Sequence, residues 1–289
     1  MLSKEAFQEK VKNGLCLLDG ATGSNLRNAG MPKGCCTEQW VLEHPEPLVA
    51  LQRSYAQAGS QIIYAPTFQA QPIALKAVGL EGQTEKVNEA LVSLSRSAAP
   101  GCLIAGDLTT LATFCDSWDP DCFDLLVDNY RRQIRGLIDG GADLLAAETL
   151  LYPQEAEAIL TAAELEGAGA AMYTFTMQAD GALFSGADAV PILRDLEQAG
   201  AAAVGFNCVA ADNMTPYLVS KLRRYVKLPL VCKPNAGIPV INAQGIAEYD
   251  MEPETFRDIL MQCKENGADI LGGCCGTTPS HIAALKRSM

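Results

Sequence analysis

Histidine is almost absent from this sequence: His44 and His281 are the only two in 289 residues. Zinc hydrolases usually bind their metal through histidine and carboxylate side chains, so a metal site of that kind is not expected. We predict that each histidine is structural or solvent-exposed.

Positive charge is also scarce, because 22 lysines and arginines stand against 34 aspartates and glutamates, for a net charge of −12. Such a surface repels nucleic-acid phosphates and anionic lipids. No apolar run approaches the roughly 20 residues that cross a bilayer, and the N-terminal segment MLSKEAFQEKVKNG lacks the apolar stretch of a signal peptide. We therefore expect a cytoplasmic protein that begins with a surface helix and binds neither nucleic acid nor membrane.

Cysteine, by contrast, is abundant: the chain has eleven, an odd number that cannot pair completely. Four lie in apolar or helical stretches and are predicted to be buried: Cys16, Cys102, Cys232 and Cys263. No role is predicted for Cys115 and Cys122, which flank the acidic segment DSWDPD. We assign Cys35–Cys36 to an ordinary loop rather than to a second metal or redox pair. The cysteines left for chemistry are Cys208 and the adjacent pair Cys274–Cys275.

Short apolar segments alternate with amphipathic helical segments along the whole chain, which is typical of a parallel α/β fold. Eight segments are predicted to be strands: 15–19, 61–65, 102–106, 143–147, 170–176, 201–206, 229–233 and 268–272. The predicted helices are 46–58, 70–98 in two pieces with a break near 79–82, 123–139, 153–166, 187–199, 213–225, 253–266 and 279–286. Eight strand–helix units predict one domain, residues 1–289, folded as a single (β/α)8 TIM barrel, with a doubly wound open sheet as the alternative.

Polar and sulfur-containing residues gather where the predicted strands end. They are Asp19, Thr67, Glu148, Cys208, Asn235, Cys274 and Cys275. In a barrel of this kind the active site is built at the C-terminal ends of the strands. Strands six to eight are neighbours there, so the three thiols are expected at one side of a single mouth.

Three thiols at one mouth favour a soft divalent metal, zinc first among them. The glycines of GGCCGTT (272–278) permit the tight turn that lets two adjacent cysteines bind one ion. Three protein ligands leave one tetrahedral position open, as in catalytic zinc sites. A thiol bound there loses its proton but stays nucleophilic, so such a site suits alkylation of a thiol better than hydrolysis.

Six segments occur in an order and spacing that match a known family. They are DGATGSNL (19–26), PTF (66–68), GGADLLAAET (140–149), GFNC (205–208), KPNAG (233–237) and GGCCGTTPSHI (272–282). On these segments the chain resembles the homocysteine S-methyltransferase family over nearly its whole length. The stretch 233–256 is most similar to the homocysteine domain of cobalamin-dependent methionine synthase.

The resemblance implies a set of site residues. The zinc ligands would be Cys208, Cys274 and Cys275, with Asn235 in the fourth position until the substrate thiol displaces it. Asp19 and Glu148 would take the ammonium group of L-homocysteine. The remaining substrate-binding residues would be Thr67 and the backbone N–H groups of Ala21, Thr22 and Gly23, which would hold the carboxylate.

The methyl donor is constrained by departures from the family pattern. Betaine-dependent members carry tyrosines where this chain has Gln69 and Thr149, so betaine is disfavoured. A second departure is GDLTT (106–110), where the family usually continues with Gly-Pro after the aspartate. The expected donor is therefore S-methylmethionine or a methylated corrinoid held on a separate partner protein.

Two functions of other classes stay open at this stage. The first is a Schiff-base lyase that uses Lys233 at the end of the seventh strand. The second is a barrel subunit that binds zinc or a thiol without turnover. The favoured function is a zinc-dependent methyltransferase in which the thiolate of homocysteine attacks the donor methyl group and gives methionine.

Overall fold

The computed structural model describes residues 1–14, 16–115, 120–243 and 245–289, and it shows an α/β fold built on one parallel, curled sheet. The strands of this sheet are β1 Ile62–Tyr64, β2 Leu103–Thr109, β3 Leu144–Leu150, β4 Ala171–Phe175, β5 Ala203–Ala210, β6 Leu230–Asn235 and β9 Ile270–Leu271. Two further short strands, β7 Val240–Ile241 and β8 Ala247–Glu248, form a separate antiparallel hairpin. The lateral order of the sheet is β1-β2-β3-β4-β5-β6-β9, and each neighbouring pair is parallel.

The helices follow the strands much as the hydrophobic periodicity predicts. They are α1 Lys4–Lys12, α2 Gly23–Asn28, α3 Thr37–Glu43, α4 Pro45–Ala58, α5 Pro72–Leu75, α6 Thr84–Ala98, α7 Pro120–Asp139, α8 Pro153–Leu165, α9 Ala189–Ala199, α10 Thr215–Arg223, α11 Pro253–Glu265 and α12 Pro279–Ser288. The predicted break near 79–82 is confirmed, because Gly79 takes a left-handed φ of 71° between two short 3-10 turns. None of the helices in the described ranges is long and apolar enough to cross a membrane.

Seven of the eight predicted strands are present in the sheet, and the first predicted strand is reduced to two isolated bridges. Leu17 pairs with Leu271 of β9, and Leu18 pairs with Ile62 of β1. Backbone hydrogen bonds run to both edges, from the N–H of Leu18 to the oxygen of Leu271 and from the N–H of Gln61 to the oxygen of Leu17, each 2.8 Å long. The predicted start of this strand, Leu15, lies outside the described residues.

Alternation along the strands separates two hydrophobic cores. One face of the sheet contributes Ile62, Ala105, Leu144, Met172 and Val231 to a cluster that contains few helical residues. The alternate residues of the same strands, such as Ile63, Ile104 and Leu145, point to the other face and pack with the surrounding helices in a second, larger cluster. Because side chains on a strand alternate between faces, the first cluster lies inside the curled sheet and the second lies between the sheet and its helices.

The N-terminal helix covers the lower end of the sheet. Ser3 caps the N-terminus of helix α1, where its hydroxyl accepts a hydrogen bond from the N–H of Ala6. Phe7 of this helix is fully buried in the inner cluster. Leu2 adds backbone hydrogen bonds to Asp143 and Ala170, at the starts of two strands. The predicted surface helix is thus confirmed, and it closes the end of the sheet opposite the strand termini where polar residues gather.

Three elements inside the long loops were not predicted. Helices α2 and α3 lie in the loop 20–45, and the β7–β8 hairpin lies in the loop 234–252. All are short, with two to seven residues each, so their hydrophobic pattern is too brief to identify them from sequence. They form part of the rim above the strand ends.

Gly205 provides a test of how closely β5 and β6 approach each other. A Cβ atom at this position would lie 2.0 Å from the backbone oxygen of Val231. We expect Gly205→Ala to lower the free energy of unfolding by about 2 kcal/mol or more, because the clash is with backbone rather than with a mobile side chain. Gly82→Ala is the matched control, since no atom lies within 4 Å of its added Cβ. Equal stability of the two variants in chemical denaturation would contradict so close an approach of the two strands.

Candidate active site

The C-terminal ends of the strands surround a cavity of about 270 Å³. Its polar lining comes from the loop 20–24 and from Arg27, Glu38, Asp107, Glu148, Lys233, Cys208, Cys274 and Cys275. Asp107, Glu148 and Lys233 follow buried inner-face residues at intervals of two in β2, β3 and β6. The same alternation that builds the inner core therefore delivers these charged groups to its upper end.

The three predicted cysteines meet at this cavity. The sulfur atoms of Cys208, Cys274 and Cys275 all lie within 4.8 Å of one another. Tetrahedral zinc with bonds of about 2.3 Å holds its thiolates about 3.8 Å apart, so the cluster fits such an ion with small adjustments. No other group of three or more potential ligands from histidine, cysteine and carboxylate side chains is found in the described part of the chain.

Backbone irregularities aim two of the site residues into the cavity. Cys208 has a φ of 57° and Thr149 a φ of 59°, and the sheet register shifts at both places. The side chain of Asn207 joins these two bulges: its oxygen accepts from the N–H of Thr149 at 2.7 Å, and its nitrogen donates to the hydroxyl of Thr149 at 2.8 Å. Left-handed backbone at residues other than glycine costs free energy, so these bonds offset part of the strain that orients Cys208.

The adjacent cysteines occupy a tight turn, as their flanking glycines predict. The N–H of Cys274 donates to the oxygen of Pro234 at 2.7 Å, and the N–H of Cys275 donates to the side-chain oxygen of Asn235 at 3.0 Å. Gly276 follows with a left-handed φ of 79°, and the ring of Tyr249 occupies the space where a side chain would lie. The turn thus places the sulfur atoms of both adjacent cysteines close to the sulfur atom of Cys208.

The three thiols are close enough to form hydrogen bonds with one another, so the pKa of each depends on the other two. The pKa of Cys275 falls to about 3, because Cys208 and then Cys274 donate hydrogen bonds to its sulfur. Tyr249 also donates a hydrogen bond to that sulfur. A dication bound by the three sulfurs would release their protons, because thiolates rather than thiols bind metal ions.

A buried ion pair also lines the cavity. The Nζ of Lys233 is 2.9 Å from Oε2 of Glu148 and lies 4.7 Å from the centre of the Tyr64 ring. Burial alone would lower the pKa of Lys233, but Glu148 and the neighbouring anionic groups hold it well above its usual range. A Schiff-base lysine needs a neutral amine, so this environment disfavours Lys233 as the nucleophile of a lyase.

Two further carboxylates surround this pair. Asp19 is buried, its Oδ2 accepts from the N–H of Tyr64 at 2.9 Å, and burial raises its pKa to about 7. Asp107 lines the cavity, and burial followed by repulsion from Glu148 raises its pKa well above the usual range. The sequence pattern missed Asp107, although counting two residues on from the buried Ala105 would have identified it.

Of the other residues predicted for the substrate site, only the loop residues 21–23 line the cavity. Thr67 is fully buried and binds the backbone N–H and oxygen of Asp107 through its hydroxyl, at 2.9 Å each. Asn235 lines a separate apolar pocket beside Cys208 and holds the cysteine turn. Residues 21–23 line the cavity, but the N–H of Ala21 donates to the hydroxyl of Thr277.

Both histidines are structural or exposed, as predicted. His44 is exposed and stacks on Trp40 with 5.1 Å between ring centroids. His281 is buried, with Nδ1 3.1 Å from the N–H of Thr278 and Nε2 2.9 Å from the oxygen of Met251. Burial lowers the pKa of His281, so it packs as a neutral ring at the start of α12.

The remaining cysteines divide into three groups. Cys102, Cys232 and Cys263 are buried as predicted, whereas Cys16 is only half-buried, because it precedes the paired residues at the sheet edge. In the loop pair, Cys35 donates to the oxygen of Pro32 and Cys36 donates to Glu38. Cys115 and Cys122, for which the sequence predicted no role, form a disulfide, and residues 116–119 between them lie outside the described residues.

Comparisons with known proteins agree with this architecture. The family model described as homocysteine S-methyltransferase matches residues 16–289. The chain is 30% identical to a homocysteine S-methyltransferase of Escherichia coli (strain K12), over 95% of each protein. It is 26% identical to a methionine synthase of Mycobacterium leprae (strain TN), of which it spans only 24%. The crystal structure of the homocysteine methyltransferase MmuM from Escherichia coli, in its metallated form, matches 98% of this chain with a TM-score of 0.82 and 28% identity.

These matches, together with the cluster of thiols at the strand ends, define the chain as an enzyme of the methyltransferase class. The resemblance found in its motifs is confirmed. The chain belongs to the homocysteine S-methyltransferase family.

Proposed function

We propose that this protein transfers a methyl group to the sulfur of L-homocysteine, giving methionine, at a zinc ion held by Cys208, Cys274 and Cys275. The observation that carries the proposal is the convergence of three sulfurs on one point of a cavity that also contains an ion pair. Support for a metal comes from the metallated form of the similar structure. When bound, zinc would supply an open coordination position at which a substrate thiol is kept ionised and nucleophilic.

The protein side chains would position the amino-acid part of the substrate. Glu148 lines the cavity and is a carboxylate for the ammonium group, while Asp19 lies behind the wall and adds negative charge there. Because the N–H of Ala21 is already donated to Thr277, Thr22 and Gly23 offer the backbone groups for the substrate carboxylate. Asn207 and Asn235 hold the two cysteine segments in place, and Thr67 fixes the backbone of Asp107.

We further propose that the fold is a complete (β/α)8 barrel formed by a single domain over residues 1–289. The backbone of Leu17 and Leu18 hydrogen-bonds to both edges of the seven-stranded sheet. Counting this segment as the first strand gives eight parallel strands, each followed by at least one helix, with the cavity at their C-terminal ends.

The donor we propose is S-methylmethionine or the methylated corrinoid of a separate protein. Zinc-loaded protein and homocysteine are to be incubated in parallel with S-methylmethionine, betaine, methylcobalamin and methyl-folate, and methionine is to be measured by mass spectrometry. We expect methionine with S-methylmethionine or methylcobalamin and none with betaine. Removal of the metal by a chelator should abolish turnover. Full turnover without metal would contradict the proposal, and binding of homocysteine without turnover from any donor would favour a non-catalytic subunit.

A further inference from the structure

Tyr249 contacts the cysteine turn from outside the cavity. It lies just after the β7–β8 hairpin, and a Cβ atom added at Gly276 would overlap its Cβ and Cγ atoms. Gly276 directly follows Cys275, which lines the cavity, whereas Tyr249 is not among the lining residues. The tyrosine therefore packs against the turn without facing the space in which we propose that homocysteine binds.

The hydroxyl of Tyr249 reaches the sulfur cluster. It donates a hydrogen bond to the sulfur of Cys275. Cys208 and Cys274 also interact electrostatically with this hydroxyl, so it lies near all three sulfurs. A tyrosine hydroxyl keeps its proton up to a pH of about 10, so it stays a hydrogen-bond donor at neutral pH. One end of the side chain thus packs on the turn and the other donates to a predicted metal ligand.

Cys274 receives a comparable hydrogen bond from Asn207, whose Nδ2 lies 3.9 Å from its sulfur. Asn207 also bonds Thr149 and Thr174, so replacing it would disturb two further strands. For Tyr249, by contrast, the sulfur of Cys275 is the one side-chain hydrogen-bond partner found in the described part of the chain. Removing this hydroxyl therefore changes a single bond to the cluster.

The segment that carries Tyr249 is held in place by His281. Nδ1 of His281 accepts from the N–H of Thr278 at 3.1 Å, so Nε2 carries the ring proton and donates to the oxygen of Met251 at 2.9 Å. Met251 is two residues beyond Tyr249, and its side chain packs against the larger hydrophobic cluster. The position of the tyrosine is thus fixed by contacts with α12 and the core.

A hydrogen-bond donor at this position would offset an excess of negative charge. Three thiolates outweigh the charge of one zinc dication, and the thiolate of a bound substrate would add to the excess. Groups that form hydrogen bonds with metal ligands orient those ligands and tune the metal, and their loss costs about 10–100-fold in metal affinity or activity.

We propose that Tyr249 is a positioning residue of the zinc centre, which holds the turn 274–276 with its ring and withdraws charge from the sulfur of Cys275 with its hydroxyl. This inference rests on the proposed function and extends it to a residue outside the cavity. In this role Tyr249 acts through Cys275 and touches neither homocysteine nor the methyl donor.

The test uses Tyr249→Phe, which keeps the ring and removes only the hydroxyl. The zinc dissociation constant is to be measured by competition with a chromophoric chelator, and the sulfur-to-metal charge-transfer bands are to be recorded with Co²⁺ in place of zinc. We expect zinc to bind about 10–100-fold more weakly. The bands should shift to longer wavelength, because a thiolate that loses a hydrogen bond gives up electron density more readily. The thermal midpoint of the metal-free variant should stay close to that of metal-free wild type, since the ring still packs on Gly276.

Tyr225→Phe is the matched control, since Tyr225 is 52% exposed and does not line the cavity. This control should leave the zinc affinity and the cobalt spectrum unchanged. The same result in Tyr249→Phe would overturn the proposal, and so would a loss confined to homocysteine binding. If wild-type protein binds neither zinc nor cobalt, the metal centre fails and the role of Tyr249 fails with it. Wild-type protein that binds zinc but forms no methionine with any donor would overturn the proposed function alone.

Discussion

Replacing Cys208 by serine is expected to remove both the bound metal and the methyltransferase activity. Cys208 contributes one of the three sulfurs that lie within 4.8 Å of one another. Changes in groups around a metal site already cost about 10–100-fold in affinity, so loss of a ligand should cost more than a hundredfold. We expect less than about one hundredth of the wild-type turnover, measured with the effective donor, and little zinc by elemental analysis after dialysis.

Two variants separate loss of the ligand from damage to the fold. Cys208→Gly removes the sulfur at a backbone φ of 57°, where glycine is favoured, so its thermal stability without metal should match or exceed that of metal-free wild type. Cys35→Ser removes a free thiol outside the cluster and keeps a hydroxyl for the oxygen of Pro32. The Cys35 variant should retain full zinc content and activity. Retention of both metal and turnover in the Cys208 variants would refute the proposed centre.

Replacing Glu148 by glutamine is expected to reduce stability and homocysteine binding together, while zinc stays bound. The change leaves the ammonium of Lys233 buried without its partner carboxylate at 2.9 Å. Breaking a buried ion pair from one side costs about 3–5 kcal/mol, which should appear as a clear drop in the thermal midpoint. Binding should weaken as well, since Glu148 lines the cavity in which we propose that homocysteine binds.

A double-mutant cycle divides these two effects. Lys233→Met alone also leaves an unpaired buried charge, but the double variant Glu148→Gln with Lys233→Met replaces both members of the pair. We expect the double variant to recover most of the lost stability, because neither buried charge is left without a partner. Its affinity for homocysteine should stay low. Additive losses of stability in the double variant would show that the ion pair is not coupled as described.

The fold was largely predictable because its signals are local. Strand positions follow from apolar runs, and α4, α8, α11 and α12 begin with proline and run close to their predicted bounds. The first strand was predicted as a full element, yet only Leu17 and Leu18 pair with the sheet. Pairing at the edge depends on how far the sheet curls, and that is set by all its neighbours rather than by the segment itself.

The sequence predicted those site residues whose type is unusual, such as the clustered cysteines. It predicted less well the residues whose role depends on a partner on another strand. Three cysteines in GFNC and GGCCG identified the cluster because adjacent thiols are rare and chemically distinctive. Lys233 was considered as a nucleophile, because its sequence neighbours do not show that it lies against Glu148. Asn207 was overlooked for a similar reason, since its bonds reach Thr149 on another strand.

The amino-acid sequence alone determined the alternation of strands and helices, the family and which three cysteines form the cluster. These follow from periodicities and residue types that are visible along the chain. Only the tertiary structure decided which carboxylates are buried, which of them line the cavity and which one pairs with Lys233. The reason is physical: Glu148 and Lys233 are 85 residues apart in the chain but in hydrogen-bond contact across the sheet, and electrostatic roles depend on distance and burial in space.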